Sequence, residues 1–152
     1  MSTDITTIDG IVKALYNCIS FSKGVGPNYK VLRSLFHSQA QITAPKEDTA
    51  GKISPMTVEQ FINYFDTSLK TEGILEVGAR EEEIKRRTLQ FKRIANVFSG
   101  YQFTPAGSKV ALTRGINTIQ LMHNDGRWWI LSLSWDRAKP DDPLTIEEGE
   151  KQ

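Results

Sequence analysis

A chain of 152 residues has the size of one domain and buries roughly two-thirds of its unfolded surface, so two full domains would be cramped. Its 39% apolar and 24% charged residues are ordinary for a folded globular protein, which sets aside disordered and membrane-embedded chains. With 19 basic against 18 acidic side chains the net charge is +1; there is no excess positive field for a phosphate backbone, and no nucleic-acid partner is expected.

No stretch approaches the roughly 20 apolar residues of a membrane span, and Met1-Ser2-Thr3-Asp4 lacks a basic region followed by an apolar run. The expectation is a cytoplasmic protein without a membrane partner. Ile5, Ile8, Val12, Leu15 and Ile19 recur at three- and four-residue steps and predict a helix from about Asp4 to Ser22. Cys18, the single cysteine, falls among the apolar Leu15, Tyr16 and Ile19 and reads as a core thiol. Gly24-Val25-Gly26-Pro27 ends the helix; it follows a helix rather than a strand and lacks a third glycine, so it is no dinucleotide fingerprint. Asn28 is an N-cap for a second, short helix with Val31, Leu32, Leu35 and Phe36 buried.

A short extended segment, Gln39 to Thr43, leads into a polar loop from Pro45 to Pro55. Thr57-Val58-Glu59-Gln60 has the capping-box pattern, and Val58, Phe61, Ile62, Phe65 and Leu69 make the apolar stripe of a third helix to about Lys70. From Gly73 the periodicity becomes that of strands, expected near 74–91, 93–103, 109–124 and 127–136, the first broken or bulged because of its length. Asp125-Gly126 supplies the positive φ angles of a type I′ hairpin turn. Beyond the last strand, residues 139–152 are acidic and proline-bearing and read as a tail on a domain spanning 1–138.

Three helices followed by an antiparallel meander make an α+β domain. The segment Leu35-Phe36-His37-Ser38-Gln39-Ala40-Gln41-Ile42-Thr43 resembles the helix-to-strand junction of nuclear-transport-factor-2-like (ketosteroid-isomerase-like, SnoaL-like) domains. Arg114 to Leu121 with Gly126 to Trp135 is similar to that superfamily's last hairpin. The resemblance covers about Asp4 to Pro143. It implies a cone-shaped roll, with three N-terminal helices on a strongly curved antiparallel sheet, an internal pocket, and a homodimer through the sheet's outer face.

It also implies where chemistry would sit. Tyr16 matches the family's donor tyrosine, whereas Ala44 falls where the catalytic aspartate is expected, and Ala44 cannot take a proton. No catalytic residue is assigned on that basis. The candidate ligand-binding residues are Tyr16, Phe36, Tyr64, Glu82, Asn96, Phe98, Arg114, Asn117 and Trp135. Of Glu81, Glu82 and Glu83, one of which could turn its carboxylate inward, Glu82 is the one chosen, and Arg114 and Asn117 surround Gly115, a glycine expected to mark a bend or bulge. His37 and His123 lie 86 positions apart in a chain with one cysteine, so no metal is expected, and no motif calls for a cofactor. The resulting expectation is a pocket for a small hydrophobic ligand without a complete catalytic set. The alternatives are a cofactor-independent lyase, isomerase or hydrolase, and a protein-interaction module.

Overall fold

The structure, a computed structural model, describes residues 4–149. Residues 1–3 of the expected domain and residues 150–152 of the expected acidic tail lie outside that range. Helix α1 spans Ile8–Ile19 and is capped by Thr7, whose hydroxyl accepts from the Gly10 N–H at 2.9 Å. It is shorter than the apolar spacing predicts. Asp4 turns its carboxylate onto the Thr6 N–H and hydroxyl, and beyond the helix Phe21–Ser22 pairs into the sheet as β1. Asn28 caps α2 (Tyr29–Leu35), accepting from the Val31 N–H at 3.1 Å. Thr57 and Gln60 close the expected capping box on α3 (Val58–Thr71).

The extended segment before the loop is longer than expected, running as β2 over Phe36–Thr43. The loop itself contains a 3₁₀ turn at Lys46–Asp48 and a short strand β3, Pro55–Met56. The long strands are β4 (Gly78–Phe91), β5 (Ile94–Pro105), β6 (Thr113–Asn124) and β7 (Arg127–Arg137). Among the described residues they form one seven-stranded sheet, ordered β1-β4-β5-β6-β7-β2-β3. Every pairing is antiparallel except β2 with β7, which run parallel. At the β6–β7 turn Asp125 and Gly126 both have positive φ, 53° and 76°, as the hairpin signal requires.

Besides a register shift between Phe36 and Gln41 where β2 pairs with β7, two irregularities in the long strands decide which side chains face inward, because adding one residue to a strand exchanges its two faces. In β4 the register shifts between Glu83 and Lys85, leaving Ile84 as the extra residue. In β7 the pairing passes from Gln120 with Ser132 to Leu121 with Ile130, leaving Leu131 over. The inward set of β7 is accordingly Trp128 and Ile130 before the bulge and Leu133 and Trp135 after it. Gly115, where a bulge was expected, lies in an unbroken β5–β6 ladder. It is glycine for another reason: a Cβ there would stand 2.1 Å from the Asp136 carbonyl oxygen, so β7 crosses too close for any side chain.

The helices cover the concave face. Ile11, Val12, Leu15 and Ile19 of α1, Leu32 and Leu35 of α2, and Phe61 and Ile62 of α3 pack with Val97, Ile119, Leu121, Ile130 and Leu133 in one core. The C-terminal segment lies on the opposite, convex face. Arg114 donates to the carbonyls of Lys139 and Asp142, Lys85 donates to that of Leu144, Arg87 pairs with Glu148, and Leu144 and Ile146 are half-buried. The sequence suggested little there to bury; Leu144 finds a seat beside Gly100, where the missing side chain leaves room.

Candidate functional site

Between α1, α3 and the concave sheet lies a cavity of about 660 Å³. Its walls are largely aromatic. Phe61 stacks on Phe65 at 5.7 Å between centroids, Phe65 meets Phe103 edge-on at 6.4 Å, and Phe61 meets Trp135 edge-on at 6.0 Å. Such offset and edge contacts hold rings rigidly, so the walls are shaped before any ligand arrives. The space is open rather than closed: its lining runs out to Glu72 and to Leu112, which is 51% exposed.

Besides the Glu72 carboxyl and the Thr113 hydroxyl near the rim, two oxygen-bearing groups in the lining have no hydrogen-bond partner among the described residues, the Glu81 carboxyl and the Tyr101 hydroxyl. No enclosed side-chain nitrogen or oxygen of the described residues lacks a partner, so these two must border the open cavity. Their position follows from pleat geometry. Glu81 pairs with Phe103 across the β4–β5 ladder and Tyr101 is two residues along β5, so all three lie on the inner face. Burial without a countercharge pushes the Glu81 carboxyl up to about 7. Burial, and then the nearby Glu81 charge, hold the Tyr101 phenol well above its ordinary value.

Tyr16 is engaged differently. Asn117 Nδ2 donates to its hydroxyl at 3.0 Å, and the hydroxyl lies 2.7 Å from Ser99 Oγ. Ser99 in turn donates to Glu83, which holds the Arg86 guanidinium through both carboxylate oxygens; Arg86 also reaches Asp9 on α1. Because Glu83 is an acceptor and Ser99 spends its proton on it, Tyr16 must donate to Ser99. Its proton is therefore directed into the protein, away from a ligand. The β4 bulge makes this arrangement: Glu83 and Arg86, three apart, share a face only because Ile84 is extra.

At the mouth Arg137 grips Asp48 with two nitrogens, at 2.6 and 2.7 Å, and Tyr64 donates to the same carboxylate. The Arg137 contact holds the Asp48 carboxyl below the usual range, and burial raises the Tyr64 phenol to about 12. Asp48 comes from the loop between β2 and β3 and carries no sequence signal of this role.

Of the residues singled out from sequence, Tyr16, Phe36, Tyr64, Asn117 and Trp135 line the cavity. Four do not, and alternation explains each. Glu82 points outward to Arg80 and Gln102, one position out of phase with Glu81. Asn96 and Phe98 fall between the inward-facing Ala95, Val97 and Ser99 of β5. Arg114 is three residues from Asn117 on a regular strand, hence on the opposite face, where it binds the C-terminal carbonyls. The histidines are structural: His37 accepts from the Gln39 N–H, and His123 packs edge-on against Trp128. The Cys18 thiol is buried, donates to the Leu15 carbonyl, and is pushed up to about 12 by burial, so it is no nucleophile. Among the described residues no group of His, Cys, Asp and Glu is arranged to hold a metal, and no helix is long and apolar enough to cross a membrane.

No family model and no curated protein matches the chain. Solved structures do. An NTF-2-like protein of unknown function from Silicibacter pomeroyi shares 16% identity over 91% of this chain and 100% of its own, with a TM-score of 0.58. A protein of unknown function with a cystatin-like fold from Nostoc punctiforme shares 14% over 78% of this chain and 81% of its own, at 0.59. LinA shares 10% over 93% and 92%, at 0.65. Identities this low speak to architecture alone, and with the helices, the strand order and the curled sheet above they agree on it: the chain has the nuclear-transport-factor-2-like, or ketosteroid-isomerase-like, fold.

Proposed function

We propose that this protein is a small-molecule binding domain whose ligand enters the aromatic cavity past Leu112 and Glu72. The observation that carries the reading is an open apolar space of about 660 Å³ with a few convergent polar groups, the composition and size of a ligand site rather than of a packing defect. Native mass spectrometry of the purified protein, followed by ligand-observed NMR with a fragment library, tests it. A retained or bound small molecule whose signal is lost in Ser68→Trp, which fills the mouth, is the expected result. A protein that binds no fragment in either variant overturns the reading.

A second reading rests on Glu81 and Tyr101. A carboxyl near neutrality beside a free phenol is the minimal pair for moving a proton: Glu81 as base, Tyr101 as hydrogen-bond donor to the oxygen where charge develops. It favours a cofactor-independent isomerase or lyase with its carboxylate on β4. Turnover abolished by Glu81→Gln and reduced by Tyr101→Phe would establish it. A homodimer through the sheet's outer face and a cytoplasmic location belong to the same proposal; half-buried Phe98 and Ile116 support the first, and a lone thiol, which permits no internal disulfide, suits the second.

A further inference from the structure

The cavity's charge narrows the ligand class. Glu81 is the one carboxyl inside it without a partner among the described residues; Glu72, also unpaired, stands at the exposed rim. The groups near it from the surrounding elements are Tyr16 and Cys18 on α1 and Tyr101 on β5, all uncharged at neutral pH. Glu83 on the same strand is neutralised by Arg86, and at the mouth Arg137 of β7 is neutralised by Asp48. Tyr64 on α3 is uncharged and bonded to Asp48, while Glu72, past the end of α3, adds a negative charge at the rim; Asp136 of β7 is a further acid on the side of Tyr101. The net field inside is negative. An anion is repelled, and among the described residues no unpaired cation in the lining waits for a carboxylate or phosphate.

The walls complement that field. From Phe103, opposite Glu81, the rings continue through Phe65 and Phe61 to Trp135. Aromatic faces attract cations, and the attraction grows when water is displaced. A carboxylate at the end of such a wall satisfies both halves of an amphiphilic cation at once.

We propose that the cavity binds an apolar organic cation, a protonated alkyl- or arylalkylamine, whose ammonium pairs with Glu81 and donates to the Tyr101 oxygen while its body lies along Phe103, Phe65, Phe61 and Trp135. This rests on the cavity being a ligand site. The amine draws Glu81 into its ionised form, so binding below about pH 7 releases a proton.

The test is calorimetric titration of the full chain with three probes of one shape, phenethylamine, 2-phenylethanol and 3-phenylpropionate, with ligand-observed NMR as a second readout. The amine is expected to bind at least about ten-fold tighter than the alcohol at about pH 8, and the carboxylate not at all. Amine affinity should fall roughly ten-fold between about pH 8 and about pH 6 while the alcohol's stays level. Glu81→Gln should bring the amine down to about the alcohol's affinity, the amine losing far more than the alcohol. An alcohol that binds as tightly as the amine, or an amine indifferent to Glu81→Gln, overturns the cation assignment and leaves the pocket reading intact. Silence from all three probes in both readouts overturns both.

Discussion

Glu81 behaves opposite to most carboxylates in folded proteins. Its folded-state value, about 7, lies above the ordinary 4.5, so between those limits the native state binds more protons than the unfolded chain. Stability then falls as pH rises from about 4.5 to about 7 and levels off above, with a loss on the order of 3 kcal/mol. Urea unfolding of the wild type should trace that decline, and Glu81→Gln should remove this limb and leave the protein more stable than wild type above about pH 7; a decline of equal size in the variant would assign the effect to another group. The reverse holds for Ser99. It is fully buried between Tyr16 and Glu83, and Ser99→Ala leaves a phenol and a carboxylate short of a partner. A loss of about 2–3 kcal/mol is expected, measured by the same unfolding curves. From sequence, Tyr16 was reached through the family resemblance, and Asn117 through a bulge expected at Gly115 that the ladder does not contain, so its inward facing owes to plain alternation. Glu81 against Glu82 was not legible: three adjacent glutamates look alike until the pleat assigns them sides.

At the level of elements, helices announced themselves through side-chain chemistry and strands through composition, but faces depended on residues that carry no label. Thr57 and Gln60 form the box their spacing implies. Thr57→Ala should cost about 1 kcal/mol in unfolding free energy, because it strands an N–H at the start of the helix that supplies Phe61 and Phe65 to the cavity wall. Ile84 is different. It is an ordinary β-branched residue, 44% exposed, and nothing in its neighbours marks it as the extra one in β4. Deleting Ile84 would make the pairing regular with Glu83 still opposite Tyr101 and Arg86 still opposite Ser99, so both would keep the inner face and the relay from Asn117 to Asp9 would survive. A deletion variant whose buried tyrosines stay protected in a pH titration is expected; tyrosines that become accessible would mean that the local twist the bulge gives the strand, and not the facing of Glu83 and Arg86, holds the relay together. The loop holding Asp48 was read only as a loop, since a single aspartate in a polar stretch does not reveal that Arg137, 89 positions later, closes on it.

For the whole molecule, the α+β class was readable because three helices before a long meander admit few architectures, while the cone came with the family resemblance; the two bulges and the tight β6–β7 crossing at Gly115 belong to the curl of the sheet. What composition concealed is the destination of the C-terminus. Its charges suggested a solvated tail, yet Leu144 and Ile146 alternate with exposed Pro143, Thr145 and Glu147 in the manner of a segment laid on a surface. The convex face beneath offers Lys85, Arg87 and Arg114 as anchors. That same face is where a second copy is proposed to pack, and one surface cannot hold both. Each anchor is a partly exposed polar contact of modest strength, and two half-buried apolar side chains add only a few kcal/mol, so a partner burying a larger area has the advantage once the segment is gone. Truncation after Ala138 should therefore shift the protein toward dimer in light scattering at a concentration where the full chain is less associated. Arg114→Ala, which releases the carbonyls of Lys139 and Asp142 without shortening the chain, should move it the same way by a smaller amount. Equal masses for all three proteins across the concentration range would show that the convex face is not a self-association surface. A dimer of the full chain weakened by truncation would instead make the C-terminal segment part of the interface.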